Sequence, residues 1–309
     1  MEPRRVAPVL GLCALLAADA VLISWAFRGP PAEDPALSTT RVATSSSPSV
    51  VSSAGGSTEP ATAVRPATVT RFAAAVGLEQ SWVVDAGTCA KPGTVWTTSD
   101  GGDSWSREDA PGRTVRAKPE RVDRGFVTGG DRDCTLRLWQ TGDAGRSWSG
   151  ARSAAGAWSR VPSDDREVHV PSDQVRTPCG DADVLDLTTL DNLRAGVLCG
   201  NAEVRTTTDG GRTWVRAFTD KVALAIALAA SGRGVVVRTE KGCAGVVAVA
   251  LEDGQPSTRK SCVEVPPVEG KVSVATTGTA WWLVVGDVVL RSENAVGPWS
   301  RTGATLPSS

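Results

Sequence analysis

Four carboxylates lie close together in the middle of the chain: Asp181, Asp183, Asp186 and Asp191. Two carboxyl groups flanking a glycosidic bond can hydrolyse it, one as acid and the other as base or nucleophile. Acidic side chains are more often solvated loop residues, and only the fold can show whether two of these face each other. The single histidine, His169, lies in REVHVP with no GxSxG or comparable nucleophile motif to serve, and reads as a surface or strand residue. No CxxC occurs and no Cys lies near His169, so the pattern gives no metal site. The glycine-rich pieces GGD and DGG lack the strand–loop–helix context of a phosphate cradle. No cofactor is expected. With 33 basic against 34 acidic residues the net charge is −1, without the basic surplus of a nucleic-acid binder.

The elements that must position these groups are announced by a repeat. TSDGGDSW (Thr98 to Trp105), TGDAGRSW (Thr141 to Trp148) and TTDGGRTW (Thr207 to Trp214) align without gaps. Each keeps Thr, Asp, Gly and Trp: Thr98, Asp100, Gly102, Trp105; Thr141, Asp143, Gly145, Trp148; Thr207, Asp209, Gly211, Trp214. Asp and Thr side chains bond nearby backbone groups, Gly supplies a positive φ, and Trp folds back over the hairpin. A strand-like run precedes each copy (GTVWTT, TLRLWQ, AEVRTT), and another strand and turn precede that run. A fourth segment, Arg291 to Ser300, keeps the strand and Trp299 but not the Asp and Gly. Between the third and fourth lies a strand–turn–strand stretch without a box.

This pattern resembles the Asp-box (bacterial neuraminidase) repeat of β-propellers, over roughly residues 68 to 305. Its order of strand, turn, strand and box is most similar to the repeats of the photosystem II stability/assembly factor family. The resemblance implies an all-β propeller of about five to seven four-stranded blades. Sialidases share the box more loosely and use a Tyr nucleophile, a three-Arg cluster and an acid/base Asp. This chain has no Tyr, so a conventional sialidase is not expected. In that family the boxes lie away from the active site, which makes Asp100, Asp143 and Asp209 structural. A blade takes about 40 to 45 residues. Five recognisable blades begin near Ala67, Arg113, Gly180, Lys221 and Gly270, with an insertion between Trp158 and Cys179 that has room for part of a sixth.

Six cysteines follow position 66: Cys89, Cys134, Cys179, Cys199, Cys243 and Cys262. Sequence alone permits fifteen pairings. Cys89, Cys134, Cys199 and Cys243 fall in turns between second and third strands, and Cys179 and Cys262 in or near blade-to-blade connections. Those two loop types share one face of an up-and-down blade, opposite the boxes. The expected pairs are Cys89–Cys134, Cys179–Cys199 and Cys243–Cys262. Loops on this same face, around the central channel, are the expected ligand site, with Lys91, Asp131, Arg132, Asp133, Asn201, Glu240, Lys241 and Asp287 as candidates.

Ahead of the repeat, Arg4 and Arg5 precede an apolar run from Val6 to Phe27, long enough to span about 30 Å of hydrocarbon. The expectation is a cytoplasmic tail (1–5), a transmembrane anchor or uncleaved signal (6–27), a disordered Ser/Thr/Pro/Ala-rich stalk (28–66) and an extracytoplasmic propeller (67–309). Ala18-Asp19-Ala20 also fits a cleavage site, the alternative to an anchor. The functional expectation is a membrane-tethered, non-enzymatic binding or scaffolding module for an envelope protein or glycan. The alternatives are a divergent carbohydrate-active enzyme and a sensor acting through a partner helix.

Overall fold

The computed structural model describes residues 64–230 and 232–306. The expected tail, the anchor and all but the end of the stalk lie outside the described residues. The rest is all β, in six sheets.

Blade 1 comprises β1 (Arg71–Ala75), β2 (Ser81–Asp85), β3 (Thr94–Thr98) and β4 (Ser106–Asp109). Blade 2 holds β5 (Arg113–Pro119), β6 (Gly125–Gly130) and β7 (Leu136–Thr141), and blade 3 holds β8 (Ser159–Val161), β9 (Asp164–Val170) and β10 (Gln174–Arg176). Blade 4 is β11 (Val184–Thr189), β12 (Ala195–Cys199), β13 (Glu203–Thr207) and β14 (Val215–Thr219). Blade 5 is β15 (Ala223–Leu228), β16 (Gly234–Arg238), β17 (Val246–Glu252) and β18 (Gln255–Val263). Blade 6 is β19 (Val272–Thr276), β20 (Trp281–Val285), β21 (Val288–Ser292) and β22 (Ser300–Arg301). Strands follow one another antiparallel within each sheet. The inner strands line up around the axis: β11 packs on β15, β15 on β19, and β19 on β1. The molecule is a six-bladed β-propeller.

The insertion expected between Trp158 and Cys179 is therefore a blade of its own. It escapes the repeat because it has lost its innermost strand as well as its box. Trp158 lies beside Gly211 of the third box, whereas Pro162 lies beside Gly130 and Cys134 at the opposite end of the channel. So β8 runs in the direction of a second strand, and it has moved into the innermost position, packing on β5, β6 and β11. Blade 2 is three-stranded for a different reason. After Trp148 the chain makes a single bridge, Arg152 to Leu138, before leaving for β8.

The four-stranded expectation therefore fails at these two neighbours. Elsewhere the central strands are runs of Val, Leu, Ile and Ala buried on both faces, as strands covered by blades on each side must be.

Indole rings staple three of the blade interfaces. Trp82 of blade 1 meets Trp148 of blade 2 edge-on, with centroids 6.4 Å apart. Trp158 of blade 3 meets Trp214 of blade 4 at 6.0 Å, and Trp282 of blade 6 meets Trp105 of blade 1 at 6.2 Å. The deeper ring of each pair donates its N–H across the interface: Trp82 to Val122 O, Trp158 to Asp191 O, Trp282 to Gly77 O. The box Trp is thus more than a lid on its own hairpin. It packs against the preceding blade, in the offset geometry that aromatic quadrupoles favour.

The ring closes without a shared strand, since blades 1 and 6 are each contiguous in sequence. Backbone bonds from Thr70 and Arg71 to Gly270 O, the Trp282–Gly77 bond and a buried ionic cluster make the joint. In that cluster Arg71, 0% exposed, binds Asp85 through two nitrogens and also binds Asp287 and Gly286 O. Leu306, bonded back to Asp287 O, completes an apolar cluster with Trp96 and Trp282.

Candidate functional site

The propeller has two unlike faces. On one lie the turns joining first to second strands and the three repeated turns, where the same network is formed each time. Thr98, Thr141 and Thr207 donate their hydroxyls to Asp100, Asp143 and Asp209 at 2.7–2.8 Å and accept the amides of Gly102, Gly145 and Gly211 at 2.9–3.0 Å. Each Asp then accepts both the amide and the hydroxyl of Ser104, Ser147 or Thr213. The three glycines have φ of 88°, 91° and 83°, where a Cβ would be strained. These bonds hold the Asp143 and Asp209 carboxyls down at about 2 and Asp100 lower still, the hydroxyl bond contributing most in each. Carboxylates so fully engaged within their own turns build hairpins.

On the other face lie the loops between second and third strands, the blade connections and all three disulfides. Cys89–Cys134 joins blade 1 to blade 2, Cys179–Cys199 joins the entry of blade 4 to the end of β12, and Cys243–Cys262 lies within blade 5. These are the pairs expected from position. The chain also enters here. Val64 packs on the apolar cluster of blades 5 and 6, and the segment then crosses the axis, so that Val69, 2% exposed, donates its amide to Leu185 O of blade 4 at 2.8 Å.

That crossing closes one end of the central channel and leaves a cavity of about 570 Å³ opening between the first-to-second-strand turns. This lies within the usual size range of small-ligand pockets. The walls are the inner strands, with Phe72, Leu187, Ile226 and Leu228 among the apolar residues and Ser273, Thr188, Thr189 and Thr276 among the hydroxyls. Val69 and Arg160 lie at its floor. The ionic groups on the walls are Arg116, Lys118, Arg160, Arg194 and Arg233 against the single carboxylate of Asp186. In a chain of net charge −1 the cavity is therefore a cationic spot.

Local irregularity accounts for the charges there. An extra residue bulges from β5 between Thr114 and Arg116 and from β11 between Val184 and Asp186, while opposite Arg160 and Val161 of β8 it is β9 that carries the unpaired residues, 165–167. A bulge adds one residue to a strand and re-aims the side chain beside it. Arg116 donates to Trp158 O at 3.1 Å and to Thr189 Oγ1. Arg160, 4% exposed, donates Nη2 to Val69 O at 2.6 Å, while its Nη1 is buried with no partner among the described residues. Asp186 accepts the amides of Ile226 and Leu187, both at 2.9 Å. Burial pushes the Arg116 guanidinium down to about 10, lowers Arg160 against the pull of Asp186, and raises Asp186.

None of the eight loop residues expected to bind a ligand lines this cavity. Asp287 belongs to the ring-closing cluster. Asp131 organises its own loop, accepting the amides of Asp133 and Thr135 and the Arg137 side chain, and Asn201 accepts the amide of Glu203. Glu240 bridges Arg238 and Lys260. Lys91, Arg132, Asp133 and Lys241 are exposed on the disulfide face. The four clustered carboxylates also part company: Asp181 and Asp183 are exposed, Asp191 pairs with Arg194, and only Asp186 reaches the channel. His169 is a buried strand residue, not a surface one, held between Ala157 O and Asp173 at 2.9 Å each. Arg116 and Arg160 were missed. Their signal was a charge set among apolar residues in RTVRAKP and WSRVP.

No protein-family model matches the chain and no curated protein matches it. Solved structures do match. The fungal lectin from Aleuria aurantia, a six-bladed propeller with a fucose recognition mode, is similar at TM-score 0.51 and 13% identity, over 78% of this chain and 96% of the lectin. YCF48 bound to D1 peptide is similar at TM-score 0.29 and 17% identity, over 79% of this chain and 69% of that one. The GH74 enzyme of Niastella koreensis is similar at TM-score 0.42 and 10% identity, over 79% of this chain and 47% of the enzyme. At such identities the likeness is one of fold.

Proposed function

We propose that this chain is a non-enzymatic binding module, an Asp-box propeller held outside the cell membrane, that engages an envelope protein or glycan at the open mouth of its central channel. The observation that carries this reading is the cavity itself: a mixed polar and apolar wall carrying a cluster of cations, with Val69 of the incoming segment across one end. Convergent polar groups in a concave site on a rigid scaffold are where ligands bind. One carboxylate lines the wall among the described residues, and backbone amides engage both its oxygens. Acid–base glycoside chemistry calls for two carboxylates across the scissile bond, so the geometry favours binding over hydrolysis. Three disulfides suit an oxidising compartment. With the apolar run at 6–27 they support export and tethering.

The test uses the full chain in detergent, applied to a glycan array and, after mild crosslinking in native membranes, to partner capture. Thr279→Trp narrows the mouth, and Arg132→Ala with Asp133→Ala alters the disulfide face. Capture lost only with Thr279→Trp is the expected result. Turnover of fluorogenic glycosides that disappears with Asp186→Asn would replace this reading with the carbohydrate-active enzyme.

A further inference from the structure

We propose that the mouth of the channel is a landing site for a linear acidic polysaccharide, whose successive anionic groups meet cations spread in an arc over blades 2, 4 and 5. The inference rests on the reading of the mouth as the binding site and names the chemistry of the ligand.

Lys118 lies near the end of β5, Arg194 in the turn between β11 and β12, and Arg233 in the turn between β15 and β16. All three are exposed, and all line the cavity where first strands turn into second ones. Blade 3 has no first strand and so no such turn, which makes blades 2 and 4 neighbours at this end. The side chain of Arg116, two residues before Lys118, reaches across to Thr189 at the end of β11. Blades 4 and 5 meet in the same way, with the Leu228 amide of β15 on the Thr188 hydroxyl at 3.1 Å.

These cations form an arc and not a cluster. Arg194 has Asp191 as its partner. Lys118 and Arg233 make no ion pair among the described residues, and Arg116 bonds only Trp158 O and Thr189. The one carboxylate on the wall, Asp186, has both oxygens on backbone amides and pulls on Arg160 deeper in the well. Separate positive charges on successive blades suit separate anions. A chain with an acid on each unit meets several of them at once, and linkage multiplies attractions that are weak one by one.

Across the mouth from the arc, blade 6 offers Thr276, Thr277 and Thr279. The Thr276 hydroxyl accepts the amide of Gly278 at 2.7 Å and keeps its own hydrogen to donate, and the Thr277–Thr279 pair keeps one. An extended peptide is commonly held by strand addition. Here the inward amides of Ala73, Ile226 and Leu228 are already taken by Ser273, Asp186 and Thr188. Cations on one side and hydroxyls on the other match a sugar chain that carries both acids and hydroxyls.

Fluorescence anisotropy of the full chain in a non-ionic detergent tests this with labelled oligomers of matched length: polygalacturonate, dextran and polyglutamate. Polygalacturonate is expected to bind and dextran not. Its affinity should fall about 10-fold or more as ionic strength rises from about 0.01 M to about 0.15 M and the screening length shrinks from about 30 Å to about 8 Å. Lys118→Ala and Arg233→Ala are each expected to weaken polygalacturonate about 2- to 5-fold, the worth of an exposed ion pair, and together by the product. Both side chains are exposed, so thermal midpoints should not move. Arg132→Ala with Lys241→Ala, on the disulfide face, should leave binding unchanged. Equal loss in that control, equal binding of dextran, or no loss in the Lys118 and Arg233 variants overturns the proposal. Tighter binding of polyglutamate overturns it in favour of an acidic polypeptide. If partner capture still depends on Thr279 while no polygalacturonate binds, the anion inference falls and the channel reading stands. Polygalacturonate binding that depends on Lys118 and Arg233, with capture indifferent to Thr279→Trp, gives the reverse.

Discussion

Arg71 and Asp287 form an ion pair across 216 positions of sequence, and with Asp85 they lock the first blade to the last. In a ring whose end blades share no strand, this pair together with Trp282 bears the closing load. Removing Arg71 leaves two carboxylates facing each other, one of them 16% exposed. Arg71→Met is expected to cost about 3 kcal/mol, the lower end for breaking a buried pair because Asp287 is partly solvated. Asp287→Asn should cost less. Equilibrium urea unfolding checks the order, and equal losses would show that the bond to Asp287 accounts for all that Arg71 contributes.

The Trp staples make a graded prediction. Trp282→Ala removes a fully buried ring, a T-shaped contact with Trp105 and the bond to Gly77 O, for a loss of about 3 to 5 kcal/mol. Trp282→Phe keeps most of the packing and forfeits the hydrogen bond, leaving Gly77 O to water. A phenylalanine variant as unstable as the alanine variant would show that the bond outweighs the packing.

Acid should unfold the protein through its repeated turns. A carboxyl held below its unfolded value of about 3.9 stabilises the fold above that pH, and the contribution disappears as pH falls towards the folded value. For Asp143 and Asp209 the folded value is about 2, so the loss falls between about pH 4 and pH 2. Asp186 has the opposite sign. Its raised carboxyl disfavours the fold when ionised and relieves that penalty on protonation. Thermal midpoints across this range should fall less steeply in Asp143→Asn than in the wild type. Parallel curves would show that the turn carboxylate contributes nothing.

Non-reducing peptide mapping should recover Cys89–Cys134, Cys179–Cys199 and Cys243–Cys262, and a Cys89–Cys262 peptide would contradict the fold. Their loops span 45, 20 and 19 residues. In the chain-entropy account each closure is worth about 3 to 4 kcal/mol, with the Cys89–Cys134 loop at the top. Cys89→Ala with Cys134→Ala should therefore be the most damaging pair to replace.

What could be read from the sequence was what is local. The three boxes specify their turns because every partner of Asp100, Asp143 and Asp209 lies within four residues. The cysteines could be paired because four fall in turns between second and third strands and the other two in or near blade connections, loops that share one face. Blade 3 was hidden because its signal, a strand order with the first member missing, has no local signature. The cavity was hidden for a related reason. Bulges in β5 and β11 break the two-residue alternation that would otherwise tell which side chains face the axis, so Arg116 and Asp186 read as isolated charges, and Arg160 lies on a strand of three residues, too short to show an alternation. The expected ligand face was argued from loop polarity. That polarity belongs to residues that fix loops, such as Asp131, or close the ring, such as Asp287.

Val69 makes the channel a well instead of a pipe. On the proposed reading, a guest in that well would leave by the mouth it entered and would shut out competitors until it left. Its bottom is also the protein's own incoming chain, pinned to two separate blades by Leu185 O and Arg160. Tension arriving along that chain would therefore tug first on the groups beneath the guest.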